Sequence, residues 1–330
     1  MGYRECDSRV LNLDYSRGRG GSAPPLLKKT NCDIKNLATM KFNIYILSLA
    51  MMTVALHSCI REDLSECYSI NKLHLVYTGN DESSDIFSEK IGSVELYIFD
   101  AAVECVYNRA LTEVELSQQE VTLPRLLVGE YRIVCVANGK NTDVVATDGK
   151  DYSAMYFADK SYTAGVTTES NDALYWASHT LTITSDDSTQ VVAFASSHYD
   201  VYVEVVGVDA QSDIHVEMSG LKPCTSLDTN EAFGAATTYY PATQSIAAEN
   251  KKTATFSIMR HTDHSTVEVK VCDKSGGELA KVNLAEFLAA NPSIDCSLNE
   301  VTIPVSFSFV LSDFTVSLPE WYIQDIKPEF

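Results

Sequence analysis

The chain has 330 residues, 45% hydrophobic and 21% charged, the balance of a folded protein rather than a disordered one. Its net charge of −20 argues against a nucleic-acid partner, because phosphate binding needs clustered Lys and Arg. Seventeen Tyr, with many Val and Thr, favour strands, and few stretches carry a helical period, so an all-β fold is expected.

Residues 1–39 carry Arg17-Gly18-Arg19-Gly20-Gly21, Pro24-Pro25 and Lys28-Lys29 without a strand or helix period. They read as an upstream extension, with translation starting at Met40. Residues 40–58 have the layout of a secretory signal: Lys41, an apolar run from Ile44 to Leu56, then His57-Ser58 before Cys59. That run is too short for a membrane-spanning helix, which needs about 20 residues. Leu56-His57-Ser58-Cys59 resembles a bacterial lipobox, which implies acylation of the Cys59 sulfur and a mature chain beginning there. Several acyl chains matter, since each buried methylene contributes about 0.8 kcal/mol and a single chain binds only marginally. Loss of residues 1–58 removes eight basic and four acidic side chains, which takes the net charge from −20 to −24. Residues 59–68 form a lipid-proximal linker that includes the acidic pair Glu62-Asp63.

From residue 69 the chain reads as strands punctuated by turns. Leu73, Leu75 and Tyr77 alternate with more polar neighbours and stop at Thr78-Gly79-Asn80-Asp81. Val94, Leu96 and Ile98 form the next set, followed by a hairpin-like stretch over 103–116. Tyr131, Ile133, Cys135 and Ala137 share a face in the strand that Asn138-Gly139 ends. Residues 140–172 are polar and turn-rich and are expected to form a surface excursion, with Tyr152, Tyr156, Phe157 and Tyr162 as candidate stacking residues or as packing of a long loop. Strand character returns at Ala173–Trp176 and Leu181–Thr184, and the polar run Ser185–Ser188 is the expected boundary between domains at 69–187 and 188–330.

The second half opens with a strand pattern in which Val201, Val203 and Val205 share a face. Ile214, Val216 and Met218 continue it, as do Val267, Val269 and Val271 before Gly276-Gly277. One helix is expected over 284–290, with Asn283 as N-cap, Glu286 three residues on, and Asn291-Pro292 as its stop. The last strand places Val301, Ile303, Val305, Phe307, Phe309 and Leu311 on one face; Pro304, on the opposite parity, suggests an edge strand. Many short strands in two halves point to two β-sandwiches in tandem.

No catalytic motif is present: there is no Gly-x-Ser-x-Gly elbow, P-loop or dinucleotide fingerprint, so neither an enzyme nor a cofactor is expected. His261-Thr262-Asp263-His264 is the densest group of possible metal ligands. Its three-residue spacing is wrong for two ligands on one strand face, where partners sit an even number apart, and no metal is expected. Beyond Cys59, the mature chain holds Cys67, Cys105, Cys135, Cys224, Cys272 and Cys296. An even number permits disulfides in an exported protein, but three fall in each half, and mostly free, buried thiols are favoured.

The segment Cys59-Ile60-Arg61-Glu62-Asp63-Leu64-Ser65-Glu66-Cys67 resembles the opening of Bacteroidales fimbrial anchor proteins of the FimB type. Ile91–Asp100 is similar to that family's apolar strand ending in Phe-Asp, and Leu127–Gly139 to its Gly-x-Tyr strand ending in Asn. The resemblance covers most of 59–330 and is most specific over 59–139. It implies two transthyretin-like sandwich domains and a lipoprotein of the outer membrane that holds or helps assemble a type V pilus. Glu62-Asp63 then resembles the export signal that brings Bacteroidales lipoproteins to the outer leaflet. In the polymerising pilins an arginine-specific cut removes the first strand; here no Arg lies between Arg61 and Arg109, so the first strand is expected to stay. Contact with pilin subunits is then expected through the C-terminal segment, with Phe314, Trp321 and Phe330 as candidates. The alternative is a pilus-tip adhesin or a glycan-binding lipoprotein.

Overall fold

The computed structural model describes residues 69–145, 152–209, 211–310 and 313–325, with side chains as far as 322. Cys59, Glu62, Asp63 and Phe330 lie outside the described residues.

The first half contributes β1 (Asn71–Val76), β2 (Val94–Phe99), β3 (Cys105–Ala110), β4 (Glu120–Thr122), β5 (Gly129–Ala137), β6 (Thr142–Val145), β7 (Tyr156–Asp159), β8 (Tyr175–Ile183), β9 (Ser188–Ala193) and β10 (Ala195–Ser196). A sheet of order β4-β1-β9 faces one of order β10-β8-β5-β2-β3. Between them lie Leu73, Leu75, Tyr77, Leu96, Ile98, Ile133, Cys135, Leu181 and Ile183. This is the inward half of each alternation, as the two-residue period of a strand requires.

Two expectations for this half need correction. The stretch after β3 folds as a helix, α1 (Glu113–Gln118), rather than continuing as a hairpin. Thr112 Oγ1 accepts from the Glu115 backbone N–H while the Glu115 carboxylate accepts from the Thr112 N–H, a reciprocal capping box. Arg109 grips the same carboxylate with its guanidinium fork. The Arg109 cation, aided by Thr112, holds the Glu115 carboxyl down at about 2 against the opposing effect of burial.

The second correction concerns the boundary at 187/188. β9 runs parallel to β1 in register from Asn71↔Ser188 to Val76↔Ala193, and Val192 and Phe194 are buried in the first core. The polar turn at 185–187 joins β8 to β9 across that sandwich, and Asp187 accepts a 2.6 Å hydrogen bond from Ile70 N–H beside β1. With β10 paired to β8 through Ala195↔Trp176 and Ser196↔Tyr175, the first half keeps the chain as far as Ser196.

The second half contributes β11 (His198–Val206), β12 (Ile214–Leu221), β13 (Cys224–Ser226), β14 (Ala232–Phe233), β15 (Thr237–Tyr239), β16 (Thr243–Ile246), β17 (Lys251–Met259), β18 (Glu268–Asp273), β19 (Glu278–Asn283), β20 (Thr302–Val310) and β21 (Asp313–Ser317). Sheets of order β16-β17-β11-β20-β21 and β15-β12-β18-β19 enclose Val201, Val203, Val205, Val216, Met218, Val269, Val271, Ile303, Val305 and Phe307. The expected helix forms as α2 (Leu284–Ala290), with Asn283 Oδ1 accepting from Glu286 N–H, and it seals one end of this core with Leu284 and Phe287.

β20 is not an edge strand: β11 lies parallel to it on one side and β21 antiparallel on the other. Asp200 N–H donates to Val301 O, so in the parallel ladder the odd residues of β20 turn their backbone groups toward β11. Pro304 therefore faces the other way, beyond the end of β21, which stops opposite Ser306. The proline sits where no N–H is needed, although its strand is interior.

The described parts of the polar stretch 140–172 are no loose excursion. β6 and β7 join β13 and β14 from the second half in a sheet of order β14-β13-β7-β6. Met155, Phe157 and Leu227 from this region cover Tyr97, Phe99, Val134 and Val136 on the outer face of β2 and β5. β5 is thus buried on both faces, which accounts for its nearly unbroken apolar run. Three of the four aromatic residues make packing contacts: Phe157 is fully buried, Tyr152 lies 5.5 Å from Phe99 and beneath Arg132, and Tyr156 meets Phe233 edge to face.

Candidate functional site: a locked first strand and a C-terminal edge

β1 sits between two neighbours, paired antiparallel to β4 through Lys72↔Thr122, Leu73↔Val121 and His74↔Glu120 and parallel to β9 along its whole length. Leu73 and Leu75 are fully buried. At the end of the strand the Tyr77 hydroxyl donates to Glu300, which precedes β20. The Lys90 ammonium donates to the other Glu300 oxygen at 2.5 Å, and the Tyr175 hydroxyl approaches within 3.3 Å. Asn80 and the Glu300 backbone exchange two hydrogen bonds, and Asn299 donates to Gly79 O at 3.0 Å. Burial alone would raise the Glu300 carboxyl, but Lys90 and the Tyr77 hydroxyl hold it below its ordinary range. Burial and the same carboxylate push the Tyr77 phenol up. Glu300 was not legible as a site residue, because its partners Lys90 and Tyr77 lie 210 and 223 positions away.

Of the C-terminal candidates, Phe314 lies on β21 at one edge of a second-half sheet and Trp321 lies just beyond that strand. Among the described residues β21 pairs only with β20 and ends its sheet. The β20 parity derived above turns the backbones of Asp313, Thr315 and Ser317 toward β20 and leaves Phe314 and Val316 facing outward. The Phe314 N–H is taken by the Asp313 carboxylate at 2.8 Å, so among the described β21 residues Val316 presents its backbone N–H to the open edge. A short strand with a charged residue at its start is how proteins restrain an exposed edge from indiscriminate pairing.

Phe314 and Trp321 are not brought together. Phe314 lies opposite Phe309 on the core side of the sheet, its ring 6.1 Å from that of Phe309. Trp321, in α3 (Glu320–Asp325), is folded back over the outer face and meets Tyr202 edge to face at 5.4 Å. It roofs a cleft of about 510 Å³ lined by Glu204, Lys251, Ser306, Ser308 and Ser317. Glu204, nearly buried, accepts from Ser306 Oγ at 2.8 Å and lies 3.6 Å from Lys251. Both residues remain partly exposed, Phe314 at 37% and Trp321 at 42%, so each could still meet a partner, from different sides.

In the histidine cluster, His261 is held by packing and hydrogen bonds. His261 Nδ1 bonds Met259 O at 2.6 Å and its Nε2 accepts from Lys222 N–H at 2.8 Å, which occupies both ring nitrogens. Burial drives the His261 imidazole down to about 4, so it is neutral. The five described cysteines, Cys105, Cys135, Cys224, Cys272 and Cys296, are all free thiols. Burial pushes Cys135 up to about 12.

The fold and these surfaces define an all-β sandwich protein whose distinctive parts are a tied-in first strand and an open C-terminal edge. Residues 64–327 match the family described as Fimbrillin-A associated anchor proteins Mfa1 and Mfa2, and the chain belongs to that family. Among solved structures it is similar to the fimbrial anchor protein Mfa2 from Porphyromonas gingivalis, with 12% identity, 76% of this chain and 95% of that one covered, and a TM-score of 0.59. It is similar also to an adhesin candidate from Bacteroides thetaiotaomicron, with 20% identity, 78% and 98% coverage, and a TM-score of 0.63. An adhesin candidate from Bacteroides ovatus gives 17% identity, 79% and 96% coverage, and a TM-score of 0.66. These likenesses speak to the fold. No curated protein sequence matches the chain.

Proposed function

We propose that this fimbria-associated protein is an outer-membrane lipoprotein, tethered through Cys59 and brought to the outer leaflet by Glu62-Asp63, that anchors type V fimbriae or assists their assembly while retaining its first strand. The place of β1 carries this reading. Donor-strand polymers join by filling a groove left by a missing strand, where unpaired backbone groups flank exposed core. In this chain that position is filled by β1, paired on both sides and tied by Tyr77 to Glu300. No Arg between Arg61 and Arg109 offers an arginine-specific protease a way to excise it. A subunit with that groove filled can terminate or anchor a polymer and offer its own edge to a pilin subunit, but it cannot accept a neighbour's strand there.

Among the described residues no helix is long and apolar enough to cross a membrane; in this reading attachment is through a lipid on Cys59. Fractionation of a Cys59→Ala variant tests this. The variant should leave the outer-membrane fraction, and its persistence there would refute the tether. The second reading, an adhesin or glycan-binding lipoprotein, is favoured by the Tyr156–Phe233 pair, which borders an open cleft of about 440 Å³ with Phe233 41% exposed. Glycan-array binding that Phe233→Ala abolishes would support it.

A further inference from the structure

The outer face of the β15-β12-β18-β19 sheet carries a group that the anchoring role does not use. His215 and Glu217 are two apart on β12 and so project from the same face. Cys272 on β18 lies directly opposite His215, and across the next strand boundary it lies opposite Glu278 of β19. Val269 and Val271 of β18 point into the core, so by alternation Lys270 and Cys272 lie on the opposite, solvent side. Even so, Cys272 is only 3% exposed, because its neighbours lie over it.

The ligating atoms of His215, Glu217 and Cys272 lie within 4.8 Å of one another, and His215 Nε2 stands 2.9 Å from Glu217 Oε1. The competing cation, Lys270, opposite Glu217, is drawn to Glu268 at 2.9 Å. A thiol under an imidazole and a carboxylate, on the wet face of a sheet, is poor use of a cysteine as a hydrophobe. It is good use of one as a soft ligand beside nitrogen and oxygen donors.

We propose that His215, Glu217 and Cys272 form a zinc site, with the fourth position left to water or to Glu278. Tetrahedral zinc with bonds of roughly 2.0–2.3 Å sets its ligand atoms about 3.3–3.8 Å apart. Binding would widen the 2.9 Å His215–Glu217 pair and draw in the separations that now lie within 4.8 Å. Zinc would take the place of the His215–Glu217 hydrogen bond and bind the sulfur as thiolate, releasing the thiol proton to solvent. The ion would staple β12 to β18 on a surface that faces outward.

The test uses the full chain, purified reduced and without a histidine tag, titrated with Zn²⁺ against a chromophoric chelator and, separately, with Co²⁺. One equivalent should bind, and the cobalt form should show a thiolate-to-metal charge-transfer band. Cys272→Ser should abolish that band, and His215→Ala should weaken zinc binding about tenfold or more, since even the partners of metal ligands are worth that much. His215 is partly exposed, so its alanine variant should unfold at the same temperature as the parent without metal, which separates ligand loss from misfolding. Failure to bind zinc, unchanged affinity in both variants, or a cobalt spectrum without the thiolate band would each overturn the site.

Discussion

Tyr77, which follows the first strand, donates its phenolic hydrogen to Glu300, 223 residues further along the chain. This bond ties the end of β1 to the segment that enters β20. It converts the first strand from a terminal element into part of the joint between the two halves.

Glu300→Gln should remove about 1.5–3 kcal/mol of stability in urea denaturation, the range for hydrogen bonds to a charged partner. The pH dependence has a definite sign. A carboxyl whose native value is depressed below its ordinary 4.5 contributes stability above that pH, and the contribution disappears as pH falls through the native value. The parent protein should therefore lose stability on the acid side of 4.5 more steeply than Glu300→Gln does. Identical acid limbs would show that Lys90 and Tyr77 do not hold the carboxylate.

Leu75→Ala, at a fully buried position of β1, should cost about 2–5 kcal/mol by the cavity it leaves. A loss near zero would mean that β1 is dispensable to the folded state, against its role as a retained strand.

Gly220 has φ +80° at the bulge of β12, and a Cβ there would stand 2.0 Å from Thr266 O. Gly220→Ala should destabilise by at least the roughly 1–3 kcal/mol of a strained backbone conformation, measured by thermal melting; a neutral substitution would contradict the backbone path.

Cys135 is fully buried, with its thiol raised to about 12, so iodoacetamide at mildly alkaline pH should leave it unmodified in the folded protein and label it in urea. Peptide mass mapping reads the outcome. Labelling of the native chain would place Cys135 outside the core.

If a pilin subunit docks by extending the β21 edge, Val316→Pro should abolish capture of purified pilin while leaving the melting temperature within a few degrees. It removes the outward N–H without touching the β20–β21 ladder. Undiminished capture would move the docking surface elsewhere, with Trp321→Ala testing the outer face.

Much of the architecture could be read from alternation alone. Leu73 and Leu75, Val201 to Val205, and Ile303 to Phe307 are all buried on the faces their period indicates, and Asn283 caps the helix its spacing marks. What escaped was non-local. The pairing of β9 with β1 joins positions more than a hundred residues apart, and a polar turn at 185–187 looks the same whether it ends a domain or crosses a sandwich. β7 gains a sheet partner from 224–226, some seventy residues further along, which no local pattern announces. Thr112 and Glu115 were a visible capping box, hidden by the shortness of the helix they start. At the candidate site, the absence of Arg between 61 and 109 was legible, whereas Glu300 carried no local signal and Phe314 and Trp321 gave no hint of opposite faces.

Whether the protein is, as proposed, a lipid-tethered anchor that keeps its first strand is read most directly by peptide mass mapping of the protein extracted from membranes. An acylated Cys59 should stand at the N-terminus of a chain that runs unbroken through β1. A membrane form beginning beyond β1, or one with unmodified Cys59, would contradict it.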